Sequence, residues 1–437
     1  MERLLMEKLV EWKDKKYRKP LILWGARQVG KTWLMKEFGR THFSNTVYVS
    51  FYNNSKIASL FEEDYDVSRI IDSLEIALHE KIIPEETLLI FDEVQSARNV
   101  VESLKYFCED APQYHVIAAG SLLGVATHEG FSFPVGKVDE LRLYPMSFRE
   151  FLKAMGEERL FSFVSQIDKE RVREFSERYR ELLKAYYCIG GMPEVVARYV
   201  ENHDLVESRE IQLSILNQYE GDFGKHVRVN ELPRIRMVWQ ALPMQLAKEN
   251  RKFFYGQVKK GARQKDFEVA IQWLVDAGIV YKVHKVQKPA MPLKSYIDFS
   301  AFKLFVLDIG LLSAMSELDV DSVQLGNELF TEFKGALTEQ YVLQQIISDT
   351  PCSPFYYAGE KSTYETDFLF QKGKDVLPIE VKAENNLKSK SLRFYYEKFS
   401  PAFCIRLSGS DYIDQGWLKN IPLWCVRWIC DNTDSRK

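Results

Sequence analysis

The sequence predicts an α/β chain whose amino-terminal part is a parallel five-stranded sheet flanked by helices. Three observations carry that expectation. Residues 21–32 read LILWGARQVGKT, a short apolar run followed by Gly25-x4-Gly30-Lys31-Thr32 and then a segment at helical spacing. Residues 87–93 read TLLIFDE, a hydrophobic run closed by two adjacent carboxylates. Around them, apolar runs alternate with helical patterns, which is how βα units with parallel strands read in sequence.

The elements follow in order. Leu4, Leu5, Leu9 and Val10 with Trp12 sit at helical spacing and are expected to cover the sheet. Strands are expected at 21–24, at Thr46–Tyr52, at Thr87–Glu93, at Tyr114–Ser121 and at Val138–Tyr144. The strand beyond the minimal set, together with Glu93 after Asp92, points to the additional-strand, catalytic-glutamate branch of P-loop NTPases.

The residue types at the loop have a chemical reason. A backbone that wraps a polyphosphate must turn tightly and aim several N–H groups inward, with no side chain in the way. Gly25 and Gly30 supply that freedom, and residues Gly25, Ala26, Arg27, Gln28, Val29, Gly30, Lys31, Thr32 and Trp33 are the expected nucleotide-binding set. Lys31 would reach the β- and γ-phosphates, and Thr32 with Asp92 would hold Mg²⁺. Strand alternation is expected to put Glu93 opposite Asp92, facing the γ-phosphate, where it can orient and deprotonate water. Ser121, at the end of its strand, is either a γ-phosphate sensor or a helix cap. ATP and Mg²⁺ are the expected cofactors, and hydrolysis the expected activity; a small-molecule kinase would need an acceptor site instead.

Eight strings in order carry a family resemblance: GARQVGKT (25–32), LLIFDEVQ (88–95), AAGSLLG (118–124), LRLYPMSFREF (141–151), GGMPEVV (190–196), AFKLFVLDIGLL (301–312), FKGALTEQYV (333–342) and ETDFLFQKGKDVLPIEVK (365–382). The chain resembles bacterial and archaeal AAA+-like ATPases with a C-terminal domain of unknown function of restriction-endonuclease-like character. The resemblance implies four parts: an ATPase core (1–150), a helical lid (151–229), a winged-helix-like domain (230–300) and a nuclease-like α/β domain (301–437). Where relatives commonly carry Gly-Arg, this chain has Gly136-Lys137, and lysine cannot make the planar fork of an arginine finger. Arg142 on the next strand is the alternative.

In the middle, helical patterns at 235–246, 255–262 and 266–275 followed by Gly278-Ile-Val-Tyr-Lys-Val suit a winged helix. Arg251, Lys252, Lys259, Lys260, Arg263 and Lys265 lie among Phe253, Phe254 and Tyr255 with no acid between them, a patch suited either to DNA or RNA backbones or to plain solvation. Towards the end, Asp367 and then Glu380-x-Lys382 on two paired strands match the PD-(D/E)xK pattern, in which carboxylates hold Mg²⁺ and the lysine serves the attacking water. Glu339 on the preceding helix is a further expected ligand. The same fold also serves as an inert binding platform, so a nucleotide-controlled switch or scaffold is the alternative to a coupled nuclease.

Composition bounds the rest. The 437 residues, 46% hydrophobic, exclude disorder. Charges of 59 Lys plus Arg against 62 Asp plus Glu restrict any nucleic-acid surface to a local patch. The six cysteines show no CxxC pair and are expected to be reduced thiols. No apolar run is long enough to span a bilayer, so a cytoplasmic chain without membrane contact is expected, and self-association is left open.

Overall fold

A computed structural model describes the chain except residues 122, 127–132, 228–229, 249–251, 319–330, 360–363, 384–388 and 432–437. The chain forms two compact units, Met1–Tyr144 with Asp276–Gly278, and Pro145–Val275 with Ile279–Lys437.

The first unit holds β1 (Leu21–Trp24), β2 (Asn45–Ser50), β3 (Thr87–Asp92), β4 (His115–Ala119) and β5 (Asp139–Arg142). They form one sheet in the order β2-β3-β4-β1-β5, and every pairing is parallel. The central strands β3 and β4 are buried along their whole length, which explains their unbroken apolar runs. At the edge, β5 alternates between half-buried and exposed residues. Register aligns the strand ends: Asp92 of β3 lies opposite Ala119 of β4, and Leu23 of β1 lies opposite that same alanine. The loops that leave β1, β3 and β4 therefore emerge side by side at the carboxyl edge, where ligands of open α/β sheets bind. The helix Leu5–Lys13 buries Leu9 and Trp12. Trp12 packs against Phe38, on the helix that follows the loop, and against His115 of β4.

The second unit is helical from Phe148 to His226. Its first helix begins with a reciprocal cap, in which Glu150 N donates to Ser147 Oγ and Ser147 N donates to Glu150 Oε2. The helices Leu232–Leu246, Tyr255–Val258 and Gln264–Asp276 match the expected order, followed by the hairpin β6 (Val280–Val286) and β7 (Ile297–Val306). That hairpin does not stand alone. With β8 (Phe355–Ala358), β9 (Glu365–Lys372), β10 (Asp375–Val381), β11 (Cys404–Ser408), β12 (Ile413–Asp414) and β13 (Leu418–Pro422) it forms an eight-stranded sheet, order β12-β13-β11-β10-β9-β8-β6-β7. The domain boundary expected at residue 300 falls inside β7. Apolar alternation marks a strand but not the sheet that strand joins.

The GGMP and LDIGLL strings find their reason here. Asp308, fully buried, accepts hydrogen bonds from Gly191 N (2.6 Å), Leu311 N (3.1 Å) and Gln344 Nε2 (2.8 Å). A side chain at Gly191 would place its Cβ 2.1 Å from the Met146 carbonyl oxygen, so glycine is required for this close approach. Gln344 Oε1 in turn accepts from Ile309 N, and Gln340 bonds both Val306 N and Val306 O. One carboxylate thus satisfies donors from three separate segments. Asp308→Ala would leave those donors buried and unpaired, and is expected to cost on the order of 3 kcal/mol. Urea unfolding followed by tryptophan fluorescence should show it, and a loss under about 1 kcal/mol would mean the network is not what holds these segments.

Candidate functional site: a phosphate loop at the sheet edge

The loop after β1 has the backbone its sequence demands. A Cβ at Gly25 would lie 2.5 Å from Leu143 O. Gly30, at φ 94° and ψ 21°, is left-handed and starts the helix Lys31–His42, and Gln28 is also left-handed at φ 68°. Ala26 and Val29 are buried. The loop is strapped from an unforeseen direction: Arg3, 4% exposed, donates Nη1 to Val29 O (2.7 Å) and Nη2 to Tyr144 O (2.6 Å).

Lys31 Nζ donates to Gly25 O and Ala26 O, both at 2.8 Å, so the ammonium is folded onto its own loop. Burial lowers its pKa to about 8, against the pull of the Glu93 and Asp92 charges and with a smaller push from Arg27. Thr32 Oγ1 donates to Asp92 Oδ2 at 2.7 Å. The Tyr48 hydroxyl, from β2, donates to the same oxygen at 3.0 Å, and burial with the adjacent Asp92 charge pushes that phenol up to about 12. Asp92 Oδ1 accepts from Glu93 N at 3.0 Å.

Glu93 differs from the sequence expectation in one respect. Strand β3 ends at Asp92, and Glu93 stands in the left-handed region at φ 55°, ψ 43° before the short turn Val94–Ser96. A chain turn, not strand alternation, separates the two carboxylates. Such a conformation costs a non-glycine residue about 1–3 kcal/mol and is concentrated at functional sites. The Glu93 carboxylate accepts from Ser121 Oγ, at 2.9 Å to Oε2 and 3.3 Å to Oε1, and from Gln95 Nε2. The described hydrogen bonds of the Ser121 hydroxyl go to Glu93 rather than to a helix end.

The structure therefore brings Lys31, Thr32, Asp92, Glu93 and Ser121 together and adds Tyr48, Gln95 and Arg3. Tyr48 had a faint signal: Val47 and Val49 are buried, so alternation sends Tyr48 to the other face. Gln95 and Arg3 had none, because each reaches its partner through a turn or across 26 residues. Trp33 is exposed on its helix. Arg142 is exposed on the edge strand, opposite Trp24. Lys137 is ion-paired with Glu109 at 2.7 Å on the surface.

In the C-terminal constellation, Asp367 and Glu380 lie on the paired strands β9 and β10. Asp367 Oδ2 accepts from Val381 N at 2.6 Å, and Lys382 Nζ lies 3.0 Å from Glu380 Oε1. Glu339, expected as a further metal ligand, is ion-paired: the ammonium of Lys303, 1% exposed, lies 3.0 Å from Glu339 Oε1 and 2.7 Å from Glu365 Oε1. It also sits over the Tyr356 ring at 4.8 Å. Among the described residues, no group of three His, Cys, Asp or Glu side chains is placed to hold a metal ion. In the basic patch, Lys259, Lys260, Arg263 and Lys265 are exposed and Lys252 half-buried, while Arg251 lies outside the described residues. Phe253, 4% exposed, stacks on Phe302, and the half-buried Tyr255 packs edge-on against both. Phe254 remains 41% exposed.

Fold and loop together define a P-loop domain of the AAA ATPase type, and residues 17–152 match the family described as an AAA domain. Residues 180–322 and 334–426 match two domains of unknown function, DUF8612 and DUF4143. A comparison with curated proteins finds no match. Similar solved structures include a Walker-type ATPase of Pyrococcus abyssi, 15% identical, covering 72% of this chain and 95% of that one at a TM-score of 0.45. The Aeropyrum pernix Orc1 protein in complex with DNA is 14% identical over 72% of this chain and 90% of its own, TM-score 0.28. AMPPCP-bound DnaA from Aquifex aeolicus is 13% identical over 63% and 88%, TM-score 0.27. Likenesses this distant say nothing of what this chain binds. No helix among the described residues is long and apolar enough to cross a membrane.

The Lys31 shift has a measurable consequence. A bound triphosphate favours the ammonium, so the folded pKa near 8 rises on binding, and a proton is taken up above that pH. Affinity for a nucleoside triphosphate should be flat from pH 7 to 8 and then fall towards tenfold per pH unit. Calorimetry at pH 8.5 in buffers of different ionisation enthalpy reads the proton uptake directly, and equal heats in all buffers would refute the assignment.

Proposed function

We propose that this protein binds and hydrolyses ATP at the first unit's loop and uses the nucleotide state to control its second unit. The observation that carries the reading is the pairing of Thr32 with Asp92 and of Ser121 with Glu93 at one sheet edge. The loop N–H groups and Lys31 would bind the phosphates once the ammonium leaves the Gly25 and Ala26 carbonyls. The oxygen donors Thr32 Oγ1 and Asp92 suit Mg²⁺, a hard cation that, when bound, neutralises phosphate charge. Tyr48 holds the Asp92 carboxylate in place. Glu93, an acceptor fixed by Ser121 and Gln95, is the group that would orient a water and take its proton. Ser121 would report on the γ-phosphate through that same carboxylate. Trp33 and Arg142 are proposed to contact nucleotide only in another nucleotide state or in an assembly. The helices between Phe148 and His226 would carry the change onward, as a lid does.

For the C-terminal sheet the two readings separate on Lys303. A nuclease would need its carboxylates available to metal, whereas Glu339 is engaged by a buried ammonium. That observation favours a nucleotide-controlled switch whose C-terminal part binds a partner without cleaving it. The exposed lysines at 259–265 would supply any contact with DNA or RNA, with salt-sensitive affinity.

Lys31→Ala should abolish ATP binding, while Glu93→Gln should keep binding within a few-fold and slow phosphate release about 10²-fold or more. Hydrolysis surviving in Glu93→Gln would move the catalytic base elsewhere. Asp367→Ala should leave ATPase activity unchanged. Incubation with single-stranded and duplex DNA and RNA in Mg²⁺ or Mn²⁺, with and without ATP, should yield no cleavage; products that disappear in Glu380→Ala would restore the nuclease reading.

A further inference from the structure

Two sulfurs outside both constellations stand closer than unrelated thiols do. Cys352 follows the helix Thr331–Asp349, and Cys430 lies on the short helix Trp428–Asp431. Their Sγ atoms are 2.8 Å apart across 78 residues, and both side chains are half-exposed. A disulfide needs about 2.05 Å, so closure asks for a shift under about 1 Å. Thr350 fixes one side of the pair: its hydroxyl donates to Ile346 O at 2.6 Å and accepts from Cys352 N at 3.2 Å.

The other side is fixed by the segment around Trp428. Trp428 Nε1 donates to Val164 O at 2.7 Å, and Trp424 stacks on Tyr179 with ring centres 5.8 Å apart. Arg149 and Arg427 both face Asp349, at 2.7 and 4.0 Å. The C-terminal segment is thus clasped between the helices 148–189 and the end of Thr331–Asp349. The other four cysteines have no sulfur partner among the described hydrogen bonds, and Cys425 is fully buried.

We propose that Cys352 and Cys430 are a disulfide-forming pair, a covalent clasp that pins the C-terminal segment to the end of the helix Thr331–Asp349. A small-molecule disulfide such as oxidised glutathione is the oxidant. The Cys352 thiolate attacks one sulfur of that oxidant and releases one glutathione thiolate, leaving a mixed disulfide. The Cys430 thiolate then attacks the Cys352 sulfur and expels the second glutathione. Two electrons pass from the protein sulfurs to the oxidant, and the two thiol protons end on the two glutathiones. The hydrogen bond with Cys352 and burial push the Cys430 thiol up, which distinguishes the pair from a fast catalytic dithiol.

The test uses the full chain. After incubation with oxidised glutathione, remaining thiols are capped with iodoacetamide and the protein is digested with trypsin without reductant. The cleavage sites give peptide 335–361, whose one cysteine is Cys352, and peptide 428–436, whose one cysteine is Cys430. The expected product is these two linked, disappearing on addition of dithiothreitol, with an unfolding midpoint raised by roughly 5 °C or more. Cys430→Ser should stop at a glutathione adduct on Cys352. Separate caps on the two cysteines of the wild-type chain, or a link from Cys430 to Cys425, would overturn the proposal.

Discussion

The hydrogen bond from Thr32 to Asp92 joins the loop after β1 to the end of β3, and the rest of the nucleotide site is organised around it. Parallel strands in register deliver both residues to one edge, and β4 between them delivers Ser121 to Glu93. Helix start, strand end and turn then converge where backbone N–H groups have no intrahelical partner. The site concentrates costs that packing elsewhere must offset: a buried lysine whose pKa burial lowers, a left-handed glutamate and a left-handed Gln28.

The second unit depends on buried charge of another kind. Asp308 spends its oxygens on backbone N–H groups and Gln344, while Glu339 and Glu365 share the Lys303 ammonium. Removing any one partner would strand the other in a low-dielectric interior, which costs more than the pair contributes. These groups therefore hold one arrangement of segments against alternatives. Among the C-terminal carboxylates, Glu339 and Glu365 face the Lys303 ammonium, while Glu380 faces Lys382.

Much of the first unit was legible because its signals are local. A glycine pair at fixed spacing, a lysine and a threonine at a helix start, and an apolar run closed by acids all lie within short windows, and the strands match at every expected place. Glu93 was placed by strand alternation, but period two assumes the strand continues and the chain turns instead. Arg3, Tyr48 and Gln95 were missed, as was Lys303, because each acts on a partner reached through folding rather than through spacing. In the basic patch, composition alone could not tell the buried Phe253 from the exposed Phe254.

The sequence by itself determined the glycine loop, the lysine and threonine at a helix start and the acids at a strand end, because those signals lie within short local windows. Only the tertiary structure decided which acids pair with Lys303, where the hairpin after residue 280 pairs, and which two thiols meet. Those outcomes depend on long-range pairing, where one buried ammonium or one shared sheet edge outweighs any local pattern.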